Sequence, residues 1–367
     1  PRVEAEQSNS AFYTLMQQMV GELGQSHFGV IPPEADVTSD AQNASHGTGW
    51  HGMHIRNVYN EPVVVEVERD SPAAQAGVKA GWVIEKVGDT AVRDRLKKIY
   101  TIKQRVGMTN VMVASVAGQI TKGPVGTAMK YTFRDANDKL ADVDITCIQT
   151  PGEAASFGNL TDIPTTLQTT VIKGDILVIR FNIWLLTPLM AQIREAILEH
   201  ADAKGVIIDL RGNPGGVGMM ASGLAGMFIP KGKKKLSLGD MNMRTSQLHF
   251  AINPQPTYYR GPLAILIDEM SLSTSEVFAG GMQDIRRAVI VGRTTGGMVL
   301  PSNIEMLDGG LKFQYAIADF KTPKGVLLEA RGVRPDVPVR LTRQSLAADQ
   351  DSMITAAVKA LSRAPRW

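Results

Sequence analysis

The sequence predicts an α/β (α+β) protein, and three observations carry that reading. From Asp175 onward, apolar strand-type runs alternate with helical ones. Between Trp50 and Cys147, short strand-type runs are separated by glycine turns. Ahead of both, residues 11 to 23 place apolar side chains at helical spacing. The chain of 367 residues thus divides into an N-terminal helical segment with a linker (1–49), a β-rich domain (50–150) and a larger αβ core (151–367). That length is ample for more than one hydrophobic core.

In the first helix Phe12, Leu15, Met16, Met19, Val20 and Leu23 share one face, and Gly24 is its stop signal. Gln25-Ser26-His27-Phe28-Gly29 follows, and Pro32-Pro33 closes the segment. The polar stretch from Glu34 to Gly49 reads as a linker. Next, Val63 to Val67 is a strand, Pro72 to Ala76 is a short helix capped by Ser71 and ended by Gly77, and Trp82 to Val87 is a strand turned by Gly88-Asp89. Strands are expected around Met129 to Phe133 and Val143 to Cys147, whereas the insertion from Arg93 to Gln119 has no clear assignment. In the core, strands are expected at Asp175–Phe181, Gly205–Leu210, Leu263–Ile267 and Ala288–Gly292. Helices are expected at Leu189–Ala203, Val217–Phe228 and after Ser273. Leu311 to Ile317 and Val326 to Glu329 read as further strands, and residues 344 to 362 as one amphipathic helix.

Composition narrows the function. The formal net charge is +3, and the one dense basic run, Lys231 to Lys235, reads as a solvated loop, so nucleic-acid binding has no support. A single cysteine, Cys147, excludes an internal disulfide, and its place in a strand-type run suggests burial. No apolar run reaches membrane-spanning length, and no clustered His/Cys/carboxylate spacing calls for a metal or another cofactor. No signal peptide is visible after Pro1.

Two strand-to-helix turns carry candidate chemistry. One is Ile267 to Glu276, where Ser271, Ser273, Thr274 and Ser275 meet the start of a helix. Backbone N–H groups and the helix dipole there would assist a serine attacking a carbonyl. Ser273-x-x-Glu276 is equally a capping box, which needs no chemistry. The other turn is Arg211-Gly-Asn-Pro-Gly-Gly216. Its glycines allow close backbone approach to an anion, but no P-loop lysine followed by Ser/Thr is present. An oxyanion hole fits if the two turns are neighbours in the sheet. Six histidines (His27, His46, His51, His54, His200, His249) could supply a base, and chain spacing does not choose among them.

Residues 50 to 150 resemble a PDZ domain of the bacterial protease type, on Gly52-Met-His-Ile55, Asp70-Ser-Pro-Ala-Ala-Gln-Ala-Gly77 and Gly81-Trp-Val-Ile-Glu-Lys-Val-Gly-Asp89. The resemblance implies capture of C-terminal tails by strand addition, with Gly52, Met53, His54 and Ile55 as the carboxylate loop and edge strand. From Asp175 to Arg340 the chain resembles the tail-specific, carboxyl-terminal processing protease superfamily, which includes the tricorn protease. The motifs are Ile208-Asp-Leu-Arg-Gly-Asn-Pro-Gly-Gly216, Ser271-Leu-Ser-Thr-Ser-Glu276, Ala288-Val-Ile-Val-Gly292 and Leu328-Glu-Ala-Arg-Gly-Val-Arg-Pro-Asp336. A crotonase-like αβ spiral core is implied.

That superfamily has two catalytic arrangements. A Ser/Lys dyad places lysine in a loop that corresponds here to Thr294-Thr-Gly-Gly-Met298, where Met298 stands in the lysine position and cannot accept a proton. The tricorn arrangement matches Ser26-His27 and Glu329. The resemblance then implies Ser273 as nucleophile, His27 as base, Ser26 and Glu329 completing a tetrad, and the N–H of Thr274 with that of Gly215 or Gly216 as oxyanion hole. It implies no cofactor, protein or peptide substrates held by their C-terminal tails, and an exported (periplasmic or secreted) location. It leaves homo-oligomer formation open. Loss of the lysine motivates an alternative, a degenerate protease that binds peptides as an adaptor.

Overall fold

The computed structural model describes residues 9–31, 49–101, 106–158, 160–185, 189–232, 236–348 and 350–364. Most of the expected linker and part of the lysine run lie outside the described residues.

The core is one six-stranded sheet. Ile176–Phe181, Gly205–Asp209, Leu263–Ile267, Val289–Gly292 and Val337–Pro338 run parallel in that spatial order, and Leu167–Ile172 pairs antiparallel on the outer edge. Gly205–Asp209 and Leu263–Ile267 are buried at every position, as expected for strands covered on both faces. Alternate residues serve two hydrophobic layers. Ile208, Ile265 and Ile290 face helices Met190–Glu199, Gly218–Gly226 and Thr274–Asp284, whereas Ile207, Leu266 and Val291 face helix Ser352–Leu361.

The β-rich region forms a second sheet with its own core. Its order is Met53–Val58, Glu61–Val67, Val83–Val87, Ala128–Arg134, Leu140–Thr146, so Met53–Val58 is an edge strand. The unassigned insertion is two helices, Val92–Thr101 and Val106–Ile120, whose Leu96, Ile99, Val113 and Ala117 close this core against Ile55, Tyr131 and Phe133. Cys147 is buried there.

Two expectations are corrected. Val326 to Glu329 is not a strand: one isolated bridge, Lys321 to Leu327, is all that forms. The final helix is broken into Arg343–Ala347 and Ser352–Leu361, because the Asp351 carboxylate accepts from Met353 and Ile354 N–H and restarts the second piece.

The N-terminal segment is tied to the far end of the core. After helix Asn9–Gly21, strand Gly29–Ile31 pairs antiparallel with Lys312–Ala316, Val30 opposite Phe313. Gln17 Oε1 accepts the Val30 N–H at 2.9 Å. This pairing, and not sequence proximity, delivers Ser26 and His27 to the core.

Candidate active site

The two candidate turns are neighbours. Their parent strands pair in register from Val206–Leu263 to Asp209–Leu266. Hydrogen bonds then stitch turn to turn. Leu272 N–H donates to Asn213 O at 3.0 Å, Ser271 Oγ to Leu210 O at 2.7 Å, and Thr274 Oγ1 to Gly216 O at 2.8 Å. Ser275 Oγ donates to Asn213 and accepts the Trp184 indole N–H at 2.9 Å. Asp268, at the end of the second strand, accepts Gly212 N–H at 2.9 Å and Met270 N–H at 3.0 Å, so one carboxylate holds both turns. Burial would raise its pKa, but the Arg56 guanidinium at 2.8 Å and the Gly212 N–H hold it below the usual carboxylate value. Arg56 comes from the edge strand of the smaller sheet, so this pair also joins the two lobes.

Ser273 sits at φ +53°, a left-handed conformation that is strained for a non-glycine residue and characteristic of functional turns. Its hydroxyl does not cap the helix. Glu276 accepts the Ser273 N–H at 3.1 Å, as the glutamate of a capping box does. Gly215, at φ +104°, lies so close that an added Cβ would stand 2.7 Å from the Ser273 Cβ. Its N–H is already donated to Asn213 Oδ1 at 3.0 Å. Gly216, at φ +137°, is pressed against Trp184 O, and among the described residues its N–H and that of Thr274 have no acceptor.

Ser26, His27 and Glu329 meet. Glu329 accepts the Ser26 N–H on Oε1 and the Ser26 hydroxyl on Oε2, both at 2.9 Å. Ser26 Oγ lies 2.8 Å from His27 Nδ1. Because the hydroxyl proton is committed to the carboxylate, the Ser26 oxygen accepts Nδ1–H, which leaves a lone pair on Nε2. Burial lowers the His27 pKa, against a smaller opposing pull from Glu329. Glu329 Oε2 also accepts Val299 N–H at 3.0 Å, while Met298 O accepts Ser273 N–H at 2.9 Å. Two hydrogen bonds and one peptide unit thus separate the Ser273 backbone from Glu329. No hydrogen bond joins the His27 ring to the Ser273 hydroxyl in this structure.

The peptide-capture residues are less open than expected. Met53 and Ile55 are buried in the smaller core, Met53 N–H is donated to His51 Nδ1 at 2.9 Å, and His54 Nε2 lies 2.8 Å from Glu68. The carbonyls of Ile55 and Asn57 accept from the Arg56 and Arg293 guanidinium groups, each at 3.0 Å. A cavity of about 320 Å³ lies between the lobes, against Arg56, Glu66, Arg211 and Glu269. It does not reach Ser273.

Sequence reasoning missed Asp268, Asn213 and the Val299 N–H. Asn213 and Asp268 lie inside the two turns singled out above but were given no role, and all three act through contacts made only after folding. No group of three or more His, Cys, Asp or Glu among the described residues is arranged to hold a metal ion, and no helix among them is long and apolar enough to cross a membrane.

The Ser273 turn thus has a glycine loop beside it, and His27, from near the other end of the chain, is tied through Ser26 to Glu329. Residues 175–339 match Peptidase family S41, and the chain is similar to carboxyl-terminal processing proteases. It is 27% identical over 310 residues to a carboxy-terminal-processing protease of Bartonella bacilliformis, covering 83% of this chain and 65% of that one. It is 32% identical over 151 residues to a probable CtpA-like serine protease of Staphylococcus aureus, covering 40% of this chain and 30% of that one. It therefore spans less than two thirds of these relatives. Among solved structures, the fold is similar to that of the photosystem II D1 C-terminal processing protease (TM-score 0.57, 20% identity, 93% of this chain and 87% of that one). It is also similar to mature CPAF (TM-score 0.63, 13% identity, 98% and 88%).

Proposed function

We propose that this protein is a serine endopeptidase that processes the carboxyl-terminal regions of unfolded or tail-exposed proteins through Ser273, His27, Ser26 and Glu329. The observation that carries the reading is the Glu329–Ser26–His27 relay, assembled within two hydrogen bonds and a peptide unit of the Ser273 backbone. His27 Nε2 takes the Ser273 proton as Oγ attacks the scissile carbonyl carbon. The resulting imidazolium is held by Nδ1–H to Ser26, backed by the Glu329 carboxylate. The N–H groups of Thr274 and Gly216 receive the oxyanion, each worth roughly 3 kcal/mol; Gly215 serves by its lack of a side chain. His27 then protonates the leaving amine, and a water molecule repeats the sequence on the acyl-enzyme. Nucleophile–base hydrogen bonds of this kind tighten when substrate binds, and the mechanism calls for that closure between His27 and Ser273.

The β-rich lobe acts in this proposal as a PDZ module that recognises the substrate tail, and the exported location rests on the family resemblance alone. Ser273→Ala and His27→Ala should each abolish cleavage of an unfolded protein while leaving the fold intact. A serine-directed fluorophosphonate should label the parent protein at Ser273. Full cleavage by either variant would refute the assignment. Tail-peptide binding without labelling or turnover would favour the adaptor reading.

A further inference from the structure

Glu276 has no role in the mechanism above, yet its surroundings are unusual. The glutamate of a helix-start capping box needs one partner, the N–H of the capping residue, and normally stands in water. Glu276 is 0% exposed and has four donors. Its Oε2 accepts Ser273 N–H at 3.1 Å and Met298 N–H at 2.9 Å. Its Oε1 accepts Gly297 N–H at 2.9 Å and the Thr295 hydroxyl. The loop it grips is tied on its far side to the glutamate segment: Gly297 O accepts Ala330 N–H at 2.7 Å, and Thr295 Oγ1 accepts Val333 N–H at 2.7 Å. The residue after the loop, Val299, donates to Glu329 itself.

We infer that Glu276 is a positioning residue of the peptidase site, locking the Ser273 turn and the 295–298 loop into one unit so that the nucleophile lies in register with the Glu329–Ser26–His27 relay. This rests on the proposed peptidase function. Two halves of the site come from distant parts of the chain, and this carboxylate is the group that binds the serine's own backbone and the loop supporting Glu329. A carboxylate accepts four hydrogen bonds without needing to donate one. A carboxamide of the same shape cannot, because its NH₂ would face two of the four donors.

The test compares Glu276→Gln, Thr295→Val and Ser273→Ala in the full chain. Casein unfolded in mild urea is the substrate, and kcat is counted per fluorophosphonate-reactive site. Glu276→Gln should lower kcat and the rate of fluorophosphonate inactivation together, by about 100-fold for a displacement near 1 Å, with KM within about twofold of the parent. A role limited to folding would lower the melting temperature and the number of reactive sites but leave kcat per site unchanged, and that result overturns the inference. If Glu276→Gln does not fold, Thr295→Val decides: it keeps the carboxylate, removes one of its donors together with the acceptor of Val333 N–H, and should give a smaller fall in kcat at unchanged KM. Parental kcat in Thr295→Val would then overturn the inference. Ser273→Ala must lack both labelling and turnover. If it retains them, the peptidase reading itself fails, an outcome distinct from parental kcat in the other two variants.

Discussion

The Ser26 hydroxyl donates to Glu329 Oε2 at 2.9 Å across 303 residues of chain. Its backbone N–H reaches the other carboxylate oxygen. This double grip fixes both the position of residue 26 and the direction of its hydroxyl. Glu329→Gln should therefore reduce kcat by roughly 10²- to 10⁴-fold, the range seen when the carboxylate behind a catalytic histidine is lost. The same change removes the charge that opposes burial at His27, so the His27 pKa should fall further below its ordinary value. An NMR titration of the His27 ring in the presence and absence of the substitution measures that shift.

The glycine loop predicts a graded pair of variants. In Gly215→Ala the new Cβ would stand 2.7 Å from the Ser273 Cβ, so the nucleophile must shift. In Gly216→Ala it would meet Trp184 O at 2.7 Å and turn away an N–H assigned to the oxyanion. Both should lose about 10²- to 10³-fold in kcat. A transition-state-mimicking peptide boronate should bind both more weakly, with ground-state peptide affinity little changed.

The Arg56–Asp268 pair predicts a stability effect. Both side chains are under a tenth exposed, at 8% and 6%. Asp268→Ala strands the Arg56 guanidinium and the N–H groups of Gly212 and Met270, and should cost about 3–5 kcal/mol. Differential scanning calorimetry should show a lowered transition. Replacing Arg56 by Met in the same chain should recover part of the loss, because no charge is then left buried without a partner.

His51 predicts sensitivity to acid. It is 2% exposed, accepts Met53 N–H on Nδ1, and has Nε2 3.1 Å from the Thr121 hydroxyl. Burial lowers its pKa from 6.5 to about 4, with the Lys122 charge adding to the effect. Between those values the unfolded chain binds more protons than the folded one. Stability is thus whole above pH 6.5 and falls as the pH drops toward 4, by about 3 kcal/mol. Urea unfolding followed at successive pH values should show this slope in the parent and a shallower one in His51→Gln.

What was legible in the sequence divides along physical lines. Uniformly apolar runs such as Leu263–Ile267 identify themselves, because a strand covered on both faces has no polar positions. The Ser26-His27, Ser273 and Glu329 signals lie in short local motifs, and the fold brings Ser26-His27 to Glu329 through the Val30–Phe313 strand pairing. By contrast, the two helices Val92–Thr101 and Val106–Ile120 have little of the sequence punctuation that announces a boundary. The C-terminal run hid its break because the amphipathic pattern continues on either side of Asp351. The Asn213 side chain takes the Gly215 N–H and not that of Gly216, and nothing in the spacing of two adjacent glycines reveals that. Glu276 read as a helix cap because that is the local half of what it does; its other three donors lie on a loop about twenty residues away.

The order of these parts along the polypeptide bears on safety during synthesis. The imidazole is made early, the alcohol much later, and the carboxylate that steadies the imidazole later still. Under the proposed mechanism, a ribosome-bound intermediate that has passed residue 273 but not 329 would hold a nucleophile and a base with nothing to align them. Hydrolytic power would then be the last property the growing chain acquires.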